Sequence, residues 1–117
     1  MKILTGIDLV YLPRFKKSLK NGGEEFLRRV FLNDELKNQQ IDHLAGIFAA
    51  KEAVVKALDL PKDSWHDILI THQKNGNPLV QFPTYHLLLL TSSLSISHDK
   101  DYVIAQFVAI LDEKSTG

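Results

Sequence analysis

Apolar residues recur every three to four positions from Ile41 to Leu58, and every second position in several shorter stretches on either side. The long segment predicts a helix with Leu44, Ile47, Phe48, Val55 and Leu58 as its core stripe, closed by Pro61. Upstream, Ile3 to Val10 reads as a strand with Ile3, Thr5, Ile7 and Leu9 on one face and Leu4, Gly6, Asp8 and Val10 on the other. Both faces are largely apolar, which predicts burial on both sides. Leu12 to Lys20 predicts a short basic helix with Pro13 in its first turn, ended by Asn21-Gly22-Gly23. Glu24 to Phe31 predicts a second short helix with Phe26, Leu27 and Val30 inward, and Asn33 is the expected N-cap of a turn through Lys37.

Beyond Pro61 the period changes to two. Asp67 to His72 and Leu79 to Phe82 read as strands joined by the turn Lys74-Asn75-Gly76-Asn77-Pro78. Pro83 to Leu90 reads as a brief helix or an irregular connection. Leu94 to Ser97 and Tyr102 to Ile110 read as a hairpin joined through His98-Asp99-Lys100-Asp101. One strand, a helical block and then four strands predict a single α+β domain over residues 1–117, with a largely antiparallel sheet.

Composition narrows the chemistry. The chain has no cysteine, which excludes disulfides, thiolate metal sites and a cysteine nucleophile. The acidic Asp8 comes too early for a signal peptide, and the run from Leu87 to Leu90 is too short for a membrane span. A cytoplasmic protein with no membrane partner is therefore expected. Net charge is zero but uneven: residues 1–30 hold seven bases against three acids, and the remainder seven against eleven. That asymmetry predicts an acidic partner for the N-terminal region.

Two carboxylates stand out. Asp8 lies in an otherwise apolar strand beside Gly6, which leaves room on the same face. Phe48, Glu52 and Lys56 recur every four residues and so share one face of the long helix. Carboxylates brought together repel unless a cation lies between them, and oxygen-only ligands favour Mg²⁺. Mg²⁺ takes one or two protein carboxylates and fills its other positions with water and phosphate oxygens. With Lys56 one turn after Glu52, this pattern suits metal-assisted chemistry on a phosphate ester. The five histidines, at 43, 66, 72, 86 and 98, show no metal-ligand spacing.

Gly6-Ile7-Asp8, followed by Phe48-x-x-Lys51-Glu52-Ala53-x-x-Lys56, resembles the signature of the 4′-phosphopantetheinyl transferases. The words Asp8-Leu9-Val10 with Arg14-Phe15, Phe26-Leu27-x-Arg29-Val30-Phe31 and Ser95-Ile96-Ser97-His98-Asp99 resemble its small holo-acyl-carrier-protein synthase branch. The resemblance implies that branch's fold and reaction: Mg²⁺-dependent transfer of 4′-phosphopantetheine from coenzyme A to a serine of an apo acyl carrier protein, releasing adenosine 3′,5′-bisphosphate. It implies Asp8 and Glu52 as metal ligands, with Glu52, directly or through water, helping to remove the serine proton. Lys56 would stabilise charge on the transferred phosphoryl and leaving group. His98, Gly76, Pro78, Ser97 and Lys51 are the implied coenzyme A contacts. Arg14, supported by Lys17, Arg28 or Arg29, is the implied contact for the acidic carrier, and a homotrimer is the implied assembly.

Two other readings carry specific features. Ile47 stands where relatives commonly place a base, and the segment 83–90 is short; both suit a non-catalytic relative that only binds carrier or coenzyme A. A metal-dependent phosphodiesterase would also use Asp8, Glu52 and a lysine. Zero net charge argues against it and against a nucleic-acid partner, and so does the lysine's place four positions after Glu52 in place of the usual Glu-x-Lys spacing.

Overall fold

The computed structural model describes residues 1–84 and 89–112. In chain order it holds strand β1 (Lys2–Tyr11), helix α1 (Leu12–Val30), helix α2 (Ile41–Leu58), and strands β2 (Leu69–His72), β3 (Pro78–Gln81), β4 (Leu89–Asp99) and β5 (Tyr102–Leu111). Short 3-10 turns occupy Glu35–Lys37 and Ser64–Asp67. β1, β5 and β4 form one antiparallel sheet in that order, and β2 and β3 form a separate antiparallel pair. The architecture is α+β.

α2 is the centre of the molecule. Leu44 and Ile47 are buried as the pattern predicts, and so are Ala45, Ala49, Ala50, Ala53, Val54 and Ala57. Small residues let a helix lie close against a sheet, and the tightest approach is at Gly6 of β1. A Cβ there would overlap the carbonyl oxygen of Ala53 and stand 2.8 Å from the amide nitrogen of Ala57. This contact brings the Asp8 end of β1 against the Glu52–Lys56 turn of α2. Phe48, half-buried on α2, joins an aromatic cluster with Phe15, Phe26 and Trp65; its ring stacks on Trp65 at 5.3 Å and 19°.

Several local expectations are corrected. Only the Gly6 and Val10 face of β1 is buried; Ile3, Ile7 and Leu9 are 72%, 53% and 60% exposed, because none of the described elements forms a second layer over that side of the sheet. The break in the basic helical region lies at Gly23 alone, whose φ of 55° only glycine adopts freely; Asn21 and Gly22 remain helical. α2 stops at Leu58 with Asp59 in the left-handed conformation, before Pro61 is reached. Asn33 does not cap the following turn. Glu35 instead reaches back, and its Oε1 accepts the amide of Leu32 at 2.8 Å. His98 and Asp99 belong to β4, leaving only Lys100 and Asp101 in the turn. β2 begins at Leu69, since residues 64–67 form the 3-10 turn. Residues 85–88 of the expected connection lie outside the described residues, and Leu89 already opens β4. Among the described residues no helix is long and apolar enough to cross a membrane.

Candidate active site

Asp8 and Lys56 meet where β1 crosses α2. Lys56 Nζ donates to Asp8 Oδ1 at 3.1 Å and to the carbonyl oxygen of Ile7 at 3.0 Å. The Asp8 side chain is 15% exposed and the Lys56 side chain 53%. Burial pushes the Asp8 carboxyl above the ordinary carboxylate value, and the bond to Lys56 partly opposes this. Glu52, one turn before Lys56, is also raised, first by burial and then by the negative charge of Asp8, with Lys56 opposing. The two carboxylates therefore feel one another across the β1–α2 contact. Oxygen-only donors in mutual repulsion suit a hard divalent cation. Among the described residues no set of three or more His, Asp or Glu converges as a metal cluster.

Glu52 stands between two openings. A cavity of about 310 Å³ on one side is lined by Asp8, Glu52, Arg14, Phe15, Phe26 and Phe48, among others. On the other side an opening of about 540 Å³ is lined by Glu52, Lys56, Arg29, Lys62, Asp63, Val55 and Trp65. One opening thus joins the two carboxylates to Arg14 at the start of α1, and the other joins Glu52 to the cationic side chains of Arg29, Lys56 and Lys62.

The remaining expected residues divide. His98, Gly76 and Pro78 line one cavity of about 150 Å³, beside the first turns of α2 and apart from Asp8 and Glu52. Ser97 does not join them: its side chain takes the opposite face of β4 from Ile96 and His98, as strand alternation requires. Lys51 contacts no opening. Its ammonium is wholly buried, 2.6 Å from Glu35 Oε1, and donates to the carbonyls of Val30 at 2.9 Å and Trp65 at 2.8 Å. The expectation that Lys51 touches coenzyme A is therefore corrected: it is a structural cation. Of the bases on α1, Arg14 and Arg29 line the two openings. Lys17 is exposed on α1, and Arg28 pairs with Glu24 at 3.4 Å on the helix surface.

Sequence reasoning missed Glu35, Lys62 and Trp65. Glu35 carried a readable signal, standing three residues after Leu32 at the start of a turn, as a back-reaching cap does. Lys62 and Trp65 carried none, because their place beside Glu52 depends on the return of the chain after α2.

The family model described as the 4′-phosphopantetheinyl transferase superfamily matches residues 5–107. A holo-[acyl-carrier-protein] synthase of Thermodesulfovibrio yellowstonii is 37% identical, covering 90% of this chain and 95% of that protein. One from Protochlamydia amoebophila is 38% identical over the same shares. Among solved structures, the Helicobacter pylori holo-[acyl-carrier-protein] synthase in complex with coenzyme A superposes with a TM-score of 0.84 at 33% identity. It covers 92% of this chain and 100% of that one. The Neisseria meningitidis synthase gives 0.81 at 30% identity, covering 92% and 97%. With the family's signature residues gathered at one crossing of β1 and α2, the chain belongs to the 4′-phosphopantetheinyl transferase superfamily.

Proposed function

We propose that this chain is a holo-acyl-carrier-protein synthase, moving 4′-phosphopantetheine from coenzyme A to a serine of an apo acyl carrier protein. The observation that carries the reading is the position of Glu52, beside Asp8 and at the junction of two openings, one edged by Arg14 and the other by Arg29, Lys56 and Lys62. Asp8 and Glu52 fit Mg²⁺, which when bound neutralises charge on the pyrophosphate. The carrier serine enters on the Arg14 side, and Glu52 accepts its proton. The serine oxygen forms a bond to the phosphorus that bears pantetheine as the pyrophosphate P–O bond breaks. Adenosine 3′,5′-bisphosphate leaves with the bond's electron pair, and Lys56 stabilises that charge. Phe48, held by Phe15, Phe26 and Trp65, fixes the helix turn that carries Glu52. Arg14, with Lys17, Arg28 and Arg29 adding to the field, steers the acidic carrier. His98, Gly76 and Pro78 form the seat for the adenosine end of coenzyme A.

We further propose a homotrimer. The support is the family resemblance together with the exposed apolar face of β1 and β5, where Ile3, Ile7, Leu9, Tyr11 and Tyr102 stay in solvent within one chain. Intact Asp8, Glu52 and Lys56 favour turnover over a relative that only binds.

The test is mass spectrometry of an apo acyl carrier protein after incubation with this protein, coenzyme A and Mg²⁺. The carrier should gain one phosphopantetheine, and Glu52→Gln should slow the gain by about 10²–10⁴-fold. No gain over a range of carriers would refute the assignment.

A further inference from the structure

Past the kink at Gly23, the second part of α1 makes only about two turns, too few to hold their shape alone. Its end is held by side chains from far along the chain. The carbonyl of Leu27 accepts the amide of Phe31 at 2.9 Å, but that of Val30 accepts Lys51 Nζ at 2.9 Å and that of Arg28 accepts His66 Nε2 at 2.7 Å. A carbonyl oxygen only accepts, so the imidazole carries a proton on Nε2. The turn that presents His66 is braced on both sides. The Trp65 carbonyl accepts Lys51 at 2.8 Å, the Trp65 ring stacks on Phe48, and Thr84 Oγ1 donates to Asp67 Oδ1 at 2.6 Å. The helix end held in this way carries Arg29, whose guanidinium lies 5.6 Å over the ring of Phe26. Phe26 lines the opening on the Arg14 side, and Arg29 lines the opposite one with Glu52. Arg29 therefore stands, like Glu52, between the two openings.

We propose that His66 is a positioning residue for the acidic carrier: its Nε2–H bond to the Arg28 carbonyl fixes the last turn of α1 and so holds Arg29 over Phe26, at the junction beside Glu52. This rests on the reading of an apo acyl carrier protein as acceptor, and gives a role to a histidine that the sequence pattern left without one.

His66 lines neither opening, so it acts through what it holds. Lys51 anchors the helix end from the interior, at Val30; His66 anchors it from the surface, one turn's width away at Arg28. With only the inner anchor left, the outer side of the turn frays and Arg29 samples more positions. The field that steers an acidic protein depends on where its cations sit, so a displaced guanidinium weakens encounter without touching the chemistry. Arg28 is the poorer mediator, because Glu24 already engages it at 3.4 Å on the helix surface.

Initial rates of transfer at saturating coenzyme A, with the carrier varied, test this. His66 is exposed, so its substitution leaves the core intact. His66→Ala should raise the carrier KM about two- to twelvefold, the range that one lost hydrogen bond allows, and leave kcat and the KM for coenzyme A within about twofold of wild type. His66→Gln, whose amide places an N–H near the position of Nε2, should restore the carrier KM. In an Arg29→Ala background His66→Ala should add little, because both changes act through one guanidinium. Added salt should narrow the gap between wild type and His66→Ala, since a charge is what the variant misplaces. An unchanged carrier KM, a loss in kcat in its place, no recovery with glutamine, full additivity with Arg29→Ala or a gap that persists in high salt overturns this inference alone. Wild-type protein that modifies no carrier overturns the acceptor assignment and this inference with it.

Discussion

Lys51 Nζ lies 2.6 Å from Oε1 of Glu35, and neither side chain is exposed. The pair is a node: Glu35 also accepts the amides of Leu32 and Ile70, and Lys51 donates to the carbonyls of Val30 and Trp65. It ties the end of α1, the middle of α2, the turn that carries Trp65 and the start of β2. Removing one partner leaves the other charge buried and unpaired. Lys51→Met should therefore cost about 3–5 kcal/mol in urea unfolding. The double variant with Glu35→Leu should cost less than the two singles added, because both charges disappear together. Strict additivity would contradict a direct ion pair.

Gly6 sets the distance between β1 and α2. Gly6→Ala puts a methyl group into the backbone of Ala53 and Ala57, so one element must move. A loss of about 1–3 kcal/mol is expected on overpacking. Because Asp8 is two residues further along the same face, turnover should fall beyond what the unfolded fraction explains. Activity assayed well below the melting temperature separates these effects, and unchanged turnover would show that the contact does not position Asp8.

The carboxyls of Asp8 and Glu52 are both raised in the folded protein. For such groups the folded state holds protons more readily than the unfolded state. Their contribution to stability is therefore present below the ordinary carboxylate range and lost as pH rises through the folded values. In Mg²⁺-free buffer near neutral pH, Glu52→Gln should raise Tm by about 1–4 °C, and added Mg²⁺ should raise Tm of the wild type more than that of the variant. Thermal scans across pH, with and without Mg²⁺, test both statements; a variant less stable than wild type in EDTA would reverse the sign argued here.

Ile7 and Leu9 sit on the uncovered face of the sheet, paired across to Gln106 and Ile104 of β5. If copies of the chain close over this face, Ile7→Lys with Leu9→Lys buries uncompensated charge between them. Light scattering after gel filtration should report a trimer for wild type and a monomer for the variant. A wild-type monomer at micromolar concentration would remove the assembly proposed here.

Much of the molecule was readable from periodicity and punctuation. The span of α2 from Ile41 to Leu58 followed from its 3.6-residue apolar recurrence, and the β4–β5 hairpin from alternation on either side of a polar turn. Glu52 and Lys56 had to share a face because helix geometry is local. Lys51 was misplaced because its partners, Glu35, Val30 and Trp65, are 14 to 21 residues away in sequence. No local pattern distinguishes a lysine bound for the interior from one bound for solvent.

The sequence by itself determined the span of α2, the pairing of β4 with β5 and the chemical types at the site, because these depend on neighbours a few residues apart. Only the tertiary structure decided that Gly6 lets β1 touch α2, that Lys56 holds Asp8, and that His66 reaches the end of α1. Those relations depend on how close the packed layers come, and that distance is set by side-chain volumes contributed from distant parts of the chain.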